Sequence, residues 1–253
     1  MKKILLEISY LGTDFCGYQV QPDKRTVQSQ LNCAAKALFG FDCDIVGCSR
    51  TDSGVHANQF FATVAQKGME YINTDIPIEK IPLALSFHLS SDVAVKSAAW
   101  VDSDFHPRYN VQSKEYLYRI YCDSVRDPFE EGRAWHYARK IDDTAFGNMQ
   151  KAAEHFIGTH DFSAFMASNS SVCDTVRTIF SLSVEKDDRI ISIKVRGDGF
   201  LYNMVRIIVG TLIAVAEGKI SPDEIEDIIA SKNRARAGIT APPQGLYLNK
   251  VIY

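Results

Sequence analysis

The sequence predicts an α+β fold made of two ferredoxin-like lobes. With 253 residues, 46% of them hydrophobic and 23% charged, the chain can bury a sizeable core, and disordered, collagen-like and disulfide-stapled classes are excluded. Strand-like and helix-like segments follow one another in the order β-α-β-β-α-β over the first hundred residues. The same order then recurs in the second half. A length of 253 residues accommodates two domains of ordinary size.

The elements of the first half follow from periodicity and from stop signals. Residues 3–10 have strand composition, and a helical spacing of apolar residues begins at Thr26 and ends near Gly40. The further predicted elements are strands at 44–48 and 59–64 around a polar loop at 49–58, a short helix at 78–85 and a strand at 93–100.

The second half gives a similar series. The predicted elements are a strand at 114–121, a helix at 142–156, a hairpin of 177–185 with 190–196, an apolar helix at 202–217 closed by Gly218, a second helix and a closing strand at 246–253. The second helix starts at Ser221, where Pro222 and Glu224 complete an N-capping pattern.

These elements divide the chain into three parts. We predict an N-terminal lobe at 1–100, a connecting loop at 101–113 and a C-terminal lobe at 114–253. Two such lobes can fuse into one mixed, mostly antiparallel sheet with a central cleft.

Composition also limits the compartment and the bound groups. The six cysteines form no CxxC pair, so neither a zinc site nor a disulfide framework is expected. The first residues lack the apolar core of a signal peptide, and the longest apolar run, 207–216, is about half of what spans a bilayer. We therefore expect a cytoplasmic protein without a membrane segment.

The densest polar segment is the loop at 49–57. Arg50 can hold Asp52 ionised and oriented, and Gly54 permits the tight turn that presents the carboxylate. Two other interpretations stay open at this point. Asp52 can instead form an Asx-turn with the Gly54 backbone, or it can join His56, four residues on, as a metal ligand.

Two further segments carry candidate residues. Strand alternation places Tyr116 and Tyr118 on one face, where they pack in a core or, near a cleft, stack on a base. Arg206 is a lone charge in an apolar helix, so it requires a partner, and Asp52 is one candidate.

Together these segments resemble the tRNA pseudouridine synthase A family. The resemblance is carried by SRTDSGVHA (49–57), DFHPRYN (104–110), KEYLYRI (114–120), FLYNMVRIIVG (200–210) and GLYL (245–248). It implies that Asp52 is the catalytic aspartate, that Tyr116 packs against the target base and that Arg206 pairs with the aspartate. It further implies that Arg50 helps to flip the nucleotide, and that His106 and Arg108 contact the substrate.

The resemblance also implies a pseudouridine synthase fold with RRM-like lobes, no cofactor and no metal. Its expected partners are the anticodon arm of tRNA, at positions 38, 39 and 40, and a second copy of the chain in a homodimer. The sequence departs from the family pattern at Leu11, Tyr18 and Ser49. A divergent paralogue acting on another uridine, a non-catalytic RNA-binding module and a metal-dependent hydrolase remain as alternatives.

The formal net charge of −3 gives no general affinity for nucleic acid. The charge is unevenly distributed, however, because residues 232–253 hold four basic residues, Lys232, Arg234, Arg236 and Lys250, and no acidic one. A local positive stripe suffices to bind phosphates. The sequence therefore predicts either such a stripe or a solvated basic loop in this segment.

Overall fold

The computed structural model describes residues 1–168 and 172–253. It divides the chain into two compact units, one of Met1–Gln112 with Tyr247–Tyr253 and the other of Ser113–Leu246. Each unit carries helices on a mixed, mostly antiparallel sheet, which confirms the predicted α+β class.

The first unit contains five strands and two α-helices among its described residues. They are β1 (Lys2–Tyr10), α1 (Val27–Phe39), β2 (Cys43–Gly47), β3 (His56–Gln66), α2 (Ile81–Phe87), β4 (Val93–Asp102) and β10 (Leu246–Ile252). β1 lies between β4 and β3 and is antiparallel to both. The other edge of β3 pairs with β2 and, at its first residues, with the parallel strand β10.

The sequence explains the first two elements of this unit. Alternate residues of β1, from Ile4 to Tyr10, are buried, which places one face of the strand in the core. Thr26 caps α1 by accepting the Ser29 amide, and Gly40 ends the helix at φ +79°. The helix therefore begins and ends where its sequence signals predict.

The second unit has five strands and three α-helices among its described residues. They are β5 (Ser113–Cys122), β6 (Trp135–Tyr137), α3 (Asp143–Glu154), β7 (Gly158–Asp161), β8 (Val176–Asp187), β9 (Ile190–Gly197), α4 (Met204–Ala216) and α5 (Ile225–Ser231). The sheet order is β5-β9-β8-β7, and β6 is parallel to the end of β5. The predicted hairpin is the pair β8–β9.

Several elements differ from the sequence prediction. β6 and β7 are not predicted, because three or four residues are too few to display a period. β3 begins at His56, so the polar loop is shorter than 49–58. The closing strand, which the sequence assigns to a C-terminal lobe at 114–253, belongs largely to the first unit because Tyr247 and Leu248 pair with β3.

None of the helices in the described residues combines the length and the apolar character needed to cross a membrane. The apolar run predicted at 207–216 lies in α4, where most side chains are buried within the second unit.

Candidate active site

Asp52 lies in the tight turn between β2 and β3. The Val55 amide donates to the Asp52 carbonyl oxygen at 3.2 Å, and Gly54 adopts a φ of +78°. The Gly54 amide donates to the Phe15 carbonyl oxygen at 3.3 Å. The turn is thus closed by backbone hydrogen bonds. Asp52 is the first residue of the turn and is half-buried.

The loop that follows β1 packs against this turn and stabilises it. The Tyr18 amide donates to the Thr51 carbonyl oxygen at 3.1 Å, and the Tyr10 and Thr51 hydroxyls are 2.8 Å apart. The two backbones approach closely at Gly12, where a Cβ would lie 2.0 Å from the Val55 carbonyl oxygen. Only glycine fits at position 12, so the loop after β1 packs directly against the Asp52 turn and fixes its position.

His56 is a buried structural ring at the start of β3. It is 0% exposed, its Nδ1 accepts the Gly12 amide at 2.9 Å, and its ring stacks on Tyr247 with centroids 4.5 Å apart. Its Nδ1 lone pair is therefore engaged by the loop after β1. In residues 1–168 and 172–253, no group of three or more His, Cys, Asp or Glu side chains could hold a metal ion.

Arg50 is exposed on the same loop as Asp52. Its guanidinium makes no hydrogen bond or ion pair within the part of the chain that the structure describes. An exposed arginine on a loop is able to bind a phosphate or stack on a base.

Tyr116 lies on β5 in the second unit and faces the buried side of the sheet. It is 8% exposed. Its ring makes an edge-to-face contact with the ring of Phe200, and the two centroids are 5.1 Å apart. The predicted alternation is confirmed, since Tyr118 and Ile120 are also buried. The ring of Tyr116 is held in one orientation by this packing.

Arg206 lies in the first turn of α4, also in the second unit, and is half-buried. Its Nε donates to the Ala241 carbonyl oxygen and its Nη1 donates to Asn203 Oδ1, both at 2.7 Å. In return, the Ala241 amide donates to the Arg206 carbonyl oxygen at 3.0 Å. These contacts fix the position of the guanidinium at the start of α4.

His106 and Arg108 lie in the first unit, in the loop after β4. His106 stacks on the exposed Tyr109 with centroids 4.2 Å apart, and its Nδ1 accepts the Arg108 amide at 3.1 Å. Partial burial lowers the pKa of His106, and the positive charges of Lys3 and Arg108 lower it further. The ring is therefore biased toward its neutral form.

Most of the basic residues in the final segment have structural partners. Lys232 forms an ion pair with Asp161 at 2.7 Å, and Arg236 donates to the Asp227 carbonyl oxygen at 3.2 Å. Arg234 donates to the Gly238 carbonyl oxygen at 2.8 Å, and burial lowers its pKa. Lys250 is exposed. The contacts of Arg234 hold its own loop together, so it is not the solvated residue that the sequence allows.

Comparison with known proteins gives matches along the whole chain. Residues 152–253 match a family model described as tRNA pseudouridine synthase. The chain is 45% identical over 253 residues to the tRNA pseudouridine synthase A of Thermoanaerobacter sp. (strain X514), with 100% of both chains covered. The corresponding values are 46% over 253 residues, with 100% of both chains, for Acetivibrio thermocellus, and 44% over 257 residues, with 99% of both chains, for Bacillus pumilus.

Proposed function

The chain belongs to the tRNA pseudouridine synthase A family, and we infer from this membership that it is an isomerase that converts uridine in tRNA to pseudouridine. The observation that carries the inference is an identity of 45% with a protein of that name along the full length of both chains. The reaction breaks the bond between N1 of uracil and C1′ of the ribose and forms a bond from C5 to C1′. The proton leaves C5 and the ring gains one at N1, so no redox partner is consumed.

We propose that Asp52 is the catalytic residue of this reaction. A carboxylate can act either as the nucleophile or as the base. The half-buried position of Asp52 and the backbone bonds of its turn support the proposal, because they hold the side chain in place before substrate arrives.

Arg206 and Tyr116 complete the proposed site. Arg206 keeps the Asp52 carboxylate ionised by pairing with it, as a fixed positive charge does in a poorly hydrated cleft. Tyr116 packs its ring against the uracil, and its orientation by Phe200 supports that role. Its hydroxyl is the group that we propose for proton transfer at C5.

The substrate contacts that we propose are Arg50, His106 and Arg108. The target uridine has to leave its stack, which costs a few kcal/mol and requires contacts with the flanking nucleotides. The exposed guanidinium of Arg50, on the loop of Asp52, is suited to stabilise the extruded nucleotide. We assign the target to positions 38, 39 and 40 of the anticodon arm.

The central test compares the chain with its Asp52→Asn variant on tRNA labelled with tritium at C5 of uridine. The wild-type chain should release tritium and form pseudouridine, and the variant should be slower by about 10³-fold or more, the scale expected for loss of a catalytic group. Asp23→Asn changes an exposed aspartate of the same unit and should leave the rate unchanged.

Two outcomes contradict the proposal in different ways. Binding of tRNA without tritium release from the wild-type chain would indicate a non-catalytic RNA-binding module. Full activity of Asp52→Asn would remove Asp52 from the chemistry. Sequencing of the product maps the modified uridines, and pseudouridine outside positions 38, 39 and 40 would indicate a paralogue with another target.

We also propose that the enzyme works in the cytoplasm as a homodimer in which two copies hold one tRNA. Light scattering should then give twice the 28.3 kDa of a single chain. A monomer that retains full activity would contradict this part of the proposal.

A further inference from the structure

Asn203 begins α4 in an unusual backbone conformation. Its φ is +60° and its ψ is 9°, in the left-handed region that residues other than glycine rarely occupy. An asparagine at a helix start normally has an extended backbone and caps a free amide of the first turn. Asn203 makes no such capping bond. The residue therefore gives up the usual stabilising role of its type.

The side chain of Asn203 bonds Arg206 instead. Its Oδ1 accepts Nη1 of Arg206 at 2.7 Å, a charge-assisted bond across one helical turn. The Nε of Arg206 donates to the Ala241 carbonyl oxygen, also at 2.7 Å. These bonds use two of the five N–H donors of the guanidinium and fix both its position and its plane.

We propose that Asn203 is a positioning residue, whose left-handed conformation serves to aim the guanidinium of Arg206. A strained backbone residue persists where the surrounding structure requires it, and here the strain directs the amide toward Arg206. An arginine has many rotamers, so a guanidinium that is already oriented loses less freedom when it engages its partner. The catalytic consequence rests on the proposed function, in which Arg206 pairs with Asp52.

The test separates the backbone from the side chain of Asn203. Asn203→Gly retains the left-handed backbone and removes Oδ1, whereas Asn203→Asp retains an acceptor oxygen and also tolerates positive φ. We expect Asn203→Gly to lower kcat by about 10- to 100-fold at an unchanged KM for tRNA. Asn203→Asp should restore kcat to within about threefold of wild type.

A matched control is available in the turn between β8 and β9. Asp188 also has a positive φ, of +48°, and its side chain is exposed. Asp188→Gly therefore repeats the change from a left-handed polar residue to glycine away from Arg206, and kcat should not change. Equal loss of kcat in this control and in Asn203→Gly would overturn the proposal.

A second measurement does not depend on activity. The Nη1–H signal of Arg206 in nitrogen-15 NMR spectra should exchange with water about tenfold faster in Asn203→Gly than in wild type, because Nη1 is the donor to Asn203, and Asn203→Asp should restore the slow rate. An unchanged signal in Asn203→Gly would overturn the positioning role. If the wild-type chain forms no pseudouridine, the proposed function fails, while this signal still decides whether Asn203 holds Arg206.

Discussion

Tyr118 is 0% exposed on β5, two residues from Tyr116 in the sequence, and its hydroxyl donates to the Pro242 carbonyl oxygen at 2.6 Å. Burial raises the pKa of this phenol well above its ordinary value, and the nearby charge of Arg206 only partly offsets the effect. Of the two interpretations of these tyrosines, core packing therefore applies to Tyr118. Its ring and hydroxyl connect β5 to the segment that carries Ala241.

We predict that Tyr118→Phe makes the protein less sensitive to alkali. The unfolded chain loses the phenolic proton near pH 10, whereas the folded protein keeps it. The stability from Tyr118 is therefore complete below about pH 10 and declines as the pH rises further, by about 1.4 kcal/mol per pH unit. Urea unfolding between pH 9 and pH 11.5 should give a slope smaller by that amount in the variant.

The same series at pH 7 measures the hydrogen bond itself. Loss of the bond to Pro242 should lower the free energy of unfolding of Tyr118→Phe by about 1 kcal/mol. Tyr202→Phe, in which the exposed fraction of the altered residue is 47%, should stay within about 0.5 kcal/mol of wild type. An alkaline slope identical in Tyr118→Phe and wild type would mean that this phenol ionises in the folded state.

At the site, the sequence predicts the turn more completely than the residues that support it. Arg50, Asp52 and Gly54 are adjacent, and the conformational freedom of glycine predicts their turn directly. The bond from Gly12 to His56 joins residues 44 positions apart, so no local pattern reveals it. Asn203 is missed for another reason, because the preference of asparagine for capping predicts a different role.

At the level of elements, α4 is held against the segment 234–242 by contacts between backbones. A Cβ on Gly210 would lie 1.9 Å from the Ile239 carbonyl oxygen, and a Cβ on Gly238 would lie 2.5 Å from Gly210. The Thr211 hydroxyl accepts the Gly238 amide at 2.9 Å and donates to the Ile207 carbonyl oxygen at 2.8 Å. This contact sets the position of Ala241 and, through it, of Arg206.

We predict that Gly210→Ala separates this segment from α4. The added methyl group cannot be accommodated by a side-chain rotation, because the atom that it meets belongs to the backbone. The free energy of unfolding should fall by about 1 to 3 kcal/mol, the usual cost of overpacking. Urea unfolding measures this loss, and tritium release from tRNA should fall with it.

Gly147→Ala in α3 is the matched control. Nothing lies within 4 Å of a Cβ at Gly147, which is also a helical glycine. Alanine is favoured over glycine inside a helix, so this variant should be more stable by about 0.5 to 1 kcal/mol. If Gly210→Ala also raises the free energy of unfolding, helix propensity and not the contact with Ile239 controls position 210.

Helices and long strands are predictable from this sequence, and short strands are not. The capping residues Thr26 and Ser221 both occupy the predicted positions at the start of a helical segment. β6 pairs with β5, and β7 pairs with β8. Each short strand forms because the longer strand beside it offers backbone groups to pair with. That contribution comes from tertiary structure, and a window of three or four residues does not contain it.

At the scale of the whole molecule, the distribution of charge is more informative than the net charge of −3. Lys232 and Arg236 are engaged with Asp161 and with the Asp227 carbonyl oxygen, so the basic final segment stabilises the second unit. In the first unit, the guanidinium of Arg50 is exposed. The basic residue that we propose as a substrate contact is thus one that the count of charges does not single out.

The repeated order of elements predicts a C-terminal lobe that continues to the end of the sequence, at 114–253, and the closing strand departs from that prediction. The Tyr253 hydroxyl donates to the Pro107 carbonyl oxygen at 2.8 Å, and the Gln112 amide donates to the Ile252 carbonyl oxygen at 2.8 Å. The chain therefore returns to its first unit at the end. Sequence order cannot reveal this, because strand pairing depends on which edge is free.

This return leads to a prediction about Leu248, which is 0% exposed in β10 and pairs with Ala57 of β3. Leu248→Ala should cost about 2 to 5 kcal/mol, and hydrogen exchange should speed up mainly in β1 and β3. Ile193→Ala, an equally buried change in β9, should instead speed exchange in β8 and β9. Faster exchange of the β8–β9 hairpin in Leu248→Ala, with β1 and β3 unaffected, would contradict the assignment of the closing strand to the first unit.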